Sequence, residues 1–351
     1  MSYIVTLKSS GKTFQIKPSQ TILEAATIAG ITIPFGCGDG MCGACKGHLL
    51  NGDVMLEDYQ ESALTEEEKS DGLILCCKAL ATKNITIDIE GDEVDEAKVV
   101  SVRVKSAGKL NGDVIKMTLE LQDNKALKFK AGQYLEFIMD DNSRRAFSLA
   151  NPPHENLLEL HLKLIKDSKF TQFIINEMQE KSIHRIEAPL GQFYLRESNK
   201  PIVFVAGGTG FAPIKSIIED MHFNNIKRPI FLYRGVSKFD DLYMHDLSLE
   251  WVNLLDEFTY IPVSESESDS NDQLRIGLVH EIVLEDFQSL ANVQVYCCGA
   301  PGLVKKAFIC FIEKDLPEDE FFADDFSFNL QKKIINLPEL YLIMILHLNL
   351  L

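Results

Sequence analysis

At 351 residues the chain is long enough for two or three domains, and its 46% hydrophobic and 25% charged residues are those of a folded globular protein. The formal net charge of -17 argues against nucleic acid, because phosphate binding needs clustered Lys and Arg; it allows docking on a basic redox partner, or simply keeps the surface soluble. Eight cysteines follow a start, Met1-Ser2-Tyr3-Ile4-Val5-Thr6-Leu7, that lacks a basic-then-apolar leader, so a reducing compartment, the cytoplasm, is expected rather than disulfides.

In chain order, residues 4–7 and 13–17 alternate apolar and polar about Ser9-Ser10-Gly11-Lys12, the pattern of a β-hairpin. Thr21-Ile22-Leu23-Glu24 is a capping box opening a short helix that Gly30 can close. Directly after it stands Pro34-Phe35-Gly36-Cys37-Gly38-Asp39-Gly40-Met41-Cys42-Gly43-Ala44-Cys45. Its C-x4-C-x2-C spacing is that of a plant-type 2Fe-2S cluster, and its glycines let backbone N–H groups approach anionic sulfur. Zinc would favour paired C-x2-C knuckles, of which one is present. A fourth thiolate is needed, and Cys76 and Cys77 are the candidates.

His48-Leu49-Leu50-Asn51-Gly52-Asp53-Val54 carries an Asn-Gly turn between apolar runs, and Thr65-Glu66-Glu67-Glu68 caps a helix ending at Gly72. Strand Ile85-Thr86-Ile87-Asp88-Ile89 finishes a small α+β domain, residues 1–92, and the acidic, aperiodic residues 93–98 read as a linker. Over residues 99–197 short strands and turns, such as Val100-Ser101-Val102-Arg103-Val104 and residues 157–164, suggest an antiparallel β-barrel.

Residues 198–328 change to buried parallel strands alternating with helices, a doubly wound α/β sheet. The apolar strand Pro201-Ile202-Val203-Phe204-Val205-Ala206 runs into Gly207-Gly208-Thr209-Gly210, and Ile214, Ile217, Ile218 and Met221 then recur at helical spacing. Strand, glycine turn and helix N-terminus make an anion site at the carboxyl ends of the strands. A strand at residues 229–235 leads to Asp240-Asp241-Leu242-Tyr243, where a helix is predicted to start, and residues 260–267 end a third strand. Residues 329–351 form an apolar extension of unassigned role, whose run from 340 to 351 is too short for a bilayer, which needs roughly 20 residues.

Residues 1 to about 90 resemble the plant-type ferredoxin family, whose last cluster ligand stands in a G-x-x-L-x-C context. Counting from Gly72, the resemblance implies Cys77 beside Cys37, Cys42 and Cys45, with Cys76 pointing elsewhere, on a β-grasp fold. Arg145-Ala146-Phe147-Ser148-Leu149-Ala150-Asn151 resembles the R-x-Y/F-S motif of the ferredoxin-NADP reductase family. It stands in the company of Ala131-Gly132-Gln133-Tyr134, Lys169-Phe170-Thr171 and Pro189-Leu190-Gly191-Gln192-Phe193. This implies FAD, with Arg145 on its pyrophosphate, Phe147 at the ring, Ser148 facing N5, and Leu149 and Lys163 in the same set. Thr171 is expected at a phosphate, although Ser168 and Lys169 stand where the family often has glycine.

Gly207, Gly208, Thr209 and Gly210 match that family's pyridine-nucleotide loop. Cys298-Gly299-Ala300-Pro301 matches its C-G-x-P segment, which implies Cys298 near the nicotinamide with Gly299 and Pro301 shaping the turn, whereas Cys297 reads as core. Phe326 is the candidate aromatic over the flavin, with a core Phe as the alternative. Glu265 and Glu267 would repel a 2'-phosphate, so NADH is expected over NADPH unless this acidic run is only a solvated loop.

The order ferredoxin, flavin barrel, nucleotide domain resembles the reductase components of the class that includes the CDP-6-deoxy-glucoseen, phenol hydroxylase and benzoate dioxygenase reductases; residues 206–215 and 145–151 stand nearest the first. NADH delivers a hydride, the cluster takes single electrons, and a flavin can do both. The resemblance therefore implies flow from NADH through FAD to the cluster and on to an oxygenase, hydroxylase or dehydratase partner, with Ser148 and Cys298 as catalytic residues. A non-enzymatic electron carrier and a redox sensor are the alternatives, and the intact glycine loop and Arg145 speak against the first.

Overall fold

The computed structural model describes residues 2–325 apart from 30, 32, 34–39, 41, 42, 44, 62, 90–96, 123–125, 142, 167 and 267–273. The chain divides between residues 94 and 95 into two compact units.

In the first unit β1 (Tyr3–Leu7) and β2 (Thr13–Ile16) pair antiparallel. The helix α1 (Ile22–Ile28) opens on the expected capping box: the Thr21 hydroxyl accepts from the Glu24 amide at 3.2 Å, and the Glu24 carboxylate accepts from the Thr21 amide at 3.0 Å. Gly30, expected to close it, lies outside the described residues. There follow β3 (Lys46–Asn51), β4 (Val54–Leu56), α2 (Glu66–Ser70), β5 (Leu73–Leu75), β6 (Ala79–Ala81) and β7 (Ile85–Asp88). The sheet order β2-β1-β7-β3-β5, with β1 parallel to β7, is that of a β-grasp.

The Asn51-Gly52 turn does not make a hairpin. Strand β3 pairs with β5 and β7, while β4 leaves to pair with β6. Gly52 is required by close approach as well as by its φ of 106°, since a Cβ there would come within 2.5 Å of Ile85 Cγ2.

The second unit begins with β8 (Lys98–Lys109), β9 (Val114–Leu121), β10 (Tyr134–Ile138), β11 (Arg144–Ser148), β12 (Leu158–Lys163), α3 (Lys169–Asn176) and β13 (Ile183–Leu190). Of the expected linker, residues 93–96 lie outside the described residues, and Lys98 already belongs to β8. The antiparallel order is β11-β10-β13-β8-β9-β12, and a bridge between Leu149 and Leu160 joins the two outer strands into a barrel. Leu158, Leu160 and Leu162 of β12 face the barrel core. Alternation would send Glu159 and His161 to water, yet they are 8% and 4% exposed. The rest of the unit covers that face.

The parallel module that covers it comprises β14 (Ile202–Gly207), α4 (Phe211–Phe223), β15 (Ile230–Val236), α5 (His245–Leu254), β16 (Phe258–Ser264), β17 (Arg275–Ile276), α6 (Val279–Asp286), β18 (Gln294–Gly299), α7 (Pro301–Ile312) and β19 (Phe321–Asp325). Its order is β17-β16-β15-β14-β18-β19. Period-two alternation sends Phe204, Leu232 and Cys298 into the core with α4, and Val203, Val205 and Cys297 into the core with α6 and α7. The first of these cores also takes in Val114, Ala131 and Phe193 of the barrel.

One expectation is corrected here. No α-helix starts at Asp240: residues Phe239–Asp241 form a single 3-10 turn, and α5 begins at His245, after Met244 adopts a left-handed φ of 53°. Tyr243 is thereby turned inward, 3% exposed. Among the described residues no helix is long and apolar enough to cross a membrane.

Candidate active site

In the first unit Cys45 and Cys77 are buried, and their sulfurs lie 3.1 Å apart without a disulfide. The Cys77 amide donates to Cys45 Sγ at 3.4 Å, the kind of contact an anionic sulfur attracts. Gly40 and Gly43 take φ of 75° and 71°, and a Cβ on Gly40 would strike the Lys78 side chain at 2.9 Å, so the tight wrap of this loop needs glycine at those two positions. Cys37 and Cys42 lie outside the described residues. Cys76 faces Gly47 and the unit's core, and burial, with Cys77 beside it, pushes its thiol up. The described pair of thiols and the glycine wrap fit a 2Fe-2S cluster.

On β11, register sets Phe137 opposite Arg145 and Tyr134 opposite Ser148. Arg145 is half-buried and its guanidinium donates to Arg144 O at 2.8 Å; Phe147 stacks on Phe170 at 5.0 Å. The motif segments are found together because buried Gln133 ties them, its side-chain amide donating to Gly191 O at 2.9 Å while its backbone carbonyl accepts from the Leu149 amide at 2.9 Å. Leu149 is buried at the barrel's closing bridge. Lys163 is exposed and paired with Asp113 at 3.6 Å. Thr171 is spent in part locally: its hydroxyl accepts from the Ile165 amide at 2.9 Å, leaving one proton to donate. The cap of α3 is Ser168, which accepts from the Phe170 amide.

Sequence reasoning passed over Asp324. The Ser148 hydroxyl donates to its carboxylate at 3.4 Å, and β19 places Asp324 opposite Cys298 on β18. The barrel's motif strand and the nucleotide sheet therefore meet at Ser148, Asp324 and Cys298. Burial pushes the Tyr134 hydroxyl up to about 12, with the Glu136, Asp324 and Glu187 carboxylates adding to it, so this neighbour of Ser148 stays protonated.

Strand β14 ends at Gly207, residues Gly208–Gly210 make a 3-10 turn, and α4 starts without a side-chain cap. A Cβ on Gly210 would lie 2.1 Å from Cys298 O, so the two strand-end turns mesh only through glycine. Gly208, at φ 54°, is open: nothing lies within 4 Å of where its Cβ would be, and Thr209 beside it is half-buried. The open glycine turn ahead of α4 fits a nucleotide phosphate. Cys298 is fully buried, Gly299 takes φ 156° against Gly207, and Pro301 opens α7. Glu265 is exposed just past β16, while Glu267 and Phe326 lie outside the described residues.

A second set of residues, illegible in the sequence, joins the two modules of the second unit. Glu159 accepts from Lys116 at 2.5 Å and from His161 Nε2 at 2.9 Å, and lies 3.4 Å from Lys215 Nζ. Lys215 also donates to Ala150 O at 3.1 Å and Glu219 at 2.8 Å, and Ser216 donates to Asn151 O at 2.7 Å. Burial works to raise the Glu159 carboxyl, but the His161 hydrogen bond and the Lys215 and Lys116 charges together hold it well below the usual range. Burial depresses His161, so it is neutral; with Nε2–H given to the carboxylate, Nδ1 accepts from the Tyr243 hydroxyl at 3.1 Å.

Comparison with known proteins agrees with this geometry. Residues 5–82 match the 2Fe-2S iron-sulfur cluster binding domain and residues 204–308 the oxidoreductase NAD-binding domain. The chain is 36% identical over 331 residues to the CDP-6-deoxy-L-threo-D-glycero-4-hexulose-3-dehydrase reductase of Yersinia pestis, covering 93% of this chain and 99% of the relative. It is 31% identical to reductase component 2 of the terephthalate 1,2-dioxygenase of Comamonas sp, covering 93% and 98%. Among solved structures, the reductase GcoB of Amycolatopsis superposes with a TM-score of 0.67 at 26% identity, covering 93% of this chain and 100% of that one. The chain belongs to the family of iron-sulfur flavoprotein reductases in which a 2Fe-2S ferredoxin domain precedes a ferredoxin-NADP-reductase-type module.

Proposed function

We propose that the chain passes electrons from NADH through FAD to its 2Fe-2S cluster and on to a partner enzyme in the cytoplasm. The observation that carries this reading is the convergence of Ser148, Asp324 and Cys298, which brings the end of the barrel's motif strand to the carboxyl edge of the nucleotide sheet. Transfer between two bound rings needs such a meeting place. FAD, when bound, supplies the change from two-electron hydride chemistry to single-electron transfer.

The protein's own residues bind and orient. Arg145 would hold the flavin pyrophosphate, Phe147 would pack at the ring, and Ser148 would turn its hydroxyl proton from Asp324 to N5. Thr171 keeps a proton to give a phosphate, and Lys163 adds charge once released from Asp113. Residues 207–210 would take the nucleotide phosphates at the open glycine turn ahead of α4, and Cys298 would lie at the nicotinamide in the turn shaped by Gly299 and Pro301. Cys37, Cys42, Cys45 and Cys77 would hold the cluster. Glu265, exposed after β16, favours a ribose hydroxyl over a 2'-phosphate, and hence NADH.

The partner best supported is a sugar dehydratase of the kind named for the Yersinia pestis relative. An oxygenase is the second reading, favoured by the match along nearly the whole terephthalate dioxygenase reductase component. Anaerobic NADH added to the reconstituted protein is expected to bleach the flavin band and then the cluster, about tenfold faster than NADPH does. Cys298→Ala should slow the first event and leave the cluster bound. A flavin that binds yet stays oxidised with either nucleotide defeats this reading, and NADH consumption in the presence of each purified partner separates the two acceptors.

A further inference from the structure

Resting on that reading, we propose that Lys215 is a positioning residue for hydride transfer, tethering the helix of the nucleotide loop to the strand that carries the flavin motif. Lys215 stands five residues past Gly210, on a helix whose neighbouring positions Ile214, Ile217 and Ile218 are apolar core. Its side chain is only 7% exposed, and three acceptors surround the ammonium: Ala150 O at 3.1 Å, Glu219 at 2.8 Å and Glu159 at 3.4 Å. Ala150 is two residues from Ser148.

The next residue repeats the link. Ser216, fully buried, donates to Asn151 O at 2.7 Å, and the Asn151 side chain accepts from the Glu159 amide at 2.8 Å. Two consecutive residues of α4 thus bind two consecutive carbonyls at the end of the motif strand, while Glu159 answers the ammonium from β12. Through His161 the same carboxylate reaches Tyr243, in the loop before α5.

A buried ammonium is costly to desolvate, and apolar side chains replacing it together with its carboxylate partners would be about as stable. What the charged contact adds is direction: it fixes the rotation and advance of α4 against the strand leading back to Ser148. The glycine turn at the head of α4 is fixed with it, and with that turn the placement of a nucleotide relative to Ser148. Misplacement of reacting groups by about 1 Å can cost on the order of 100-fold in rate.

The test compares Lys215→Met, which keeps the stem and removes the ammonium, with Ser216→Ala, a milder loss from the same tether. Both holoproteins are expected to retain flavin and cluster at wild-type stoichiometry and to bind NADH within about threefold of wild type, while the limiting rate of flavin bleaching falls about tenfold or more in Lys215→Met and by less in Ser216→Ala. The isotope effect with NADH deuterated at the transferred position should rise in both. Without nucleotide, amide exchange over residues 150–162 and 208–218 should be faster in Lys215→Met than in wild type. A Lys215→Met protein that bleaches at the wild-type rate, or one whose flavin content, NADH affinity and rate decline together, overturns the proposal. Because the wild type is the reference, loss of its bleaching would sink the functional reading, while the exchange measurement would still judge the tether.

Discussion

Cys76 and Cys77 are adjacent in sequence and both buried, but they meet different neighbours. Cys77 meets Cys45, whereas Cys76 turns into the core against Gly47 and its thiol is pushed up by burial. Cys77→Ser is therefore expected to abolish the visible absorption and iron content of the reconstituted protein, and Cys76→Ser to preserve both. Cluster absorption surviving in Cys77→Ser would move the fourth ligand elsewhere. The C-x4-C-x2-C spacing and its glycines were legible because they are local in sequence, whereas Cys77 over Cys76 was implied only by the ferredoxin resemblance. Asp324 was not legible, because its pairing with Ser148 spans 176 positions and is made only when β19 takes its place beside β18. Lys215 and Ser216 were given no role, since nothing in an isolated helix shows which polar side chain a neighbouring module will cover.

Among the elements, the meshed turns after β14 and β18 make the sharpest demand on residue size. Gly210→Ala pushes a Cβ to 2.1 Å from a backbone oxygen, which cannot yield as a side chain can, so the turns must part. It is expected to lower stability by about 1–3 kcal/mol and to weaken NADH binding. Gly208→Ala meets open space and costs roughly 1 kcal/mol for its positive φ. Urea unfolding and NADH titration of the two variants check the order, and an equal response would refute the meshing. Elements were read well wherever periodicity or capping decides them, as with α1 and α4. They were misread where context does: the run after β15 is broken by the left-handed Met244, so no α-helix starts at Asp240.

The alternating stretch of β12 carries the lesson to the whole molecule. Its pattern specifies a strand with one wet face, and that is the face the nucleotide module covers, enclosing Glu159 with Lys116, Lys215, His161 and Glu219 around it. A carboxyl held below its ordinary value of 4.5 stabilises the fold at every pH above that value, and the stabilisation is lost as pH falls from there through the folded-state pKa. Glu219, raised by burial, gives a weaker slope of the opposite sign. Glu159→Gln is expected to lower stability at pH 7 by roughly 3 kcal/mol, because Lys215 keeps only part of its counter-charge, and to narrow the gap from wild type as pH drops below 4.5. Chemical denaturation at several pH values reads both effects, and a gap that stays constant with pH would show that the carboxylate charge is not responsible.

The apolar core that runs from Val114, Ala131 and Phe193 into α4 makes the join between barrel and nucleotide sheet a poor place to splice. A chimera joined there would combine an oily wall and a stranded ammonium with a mate shaped for neither, so exchanging the second unit whole is expected to cost less stability than exchanging either half of it.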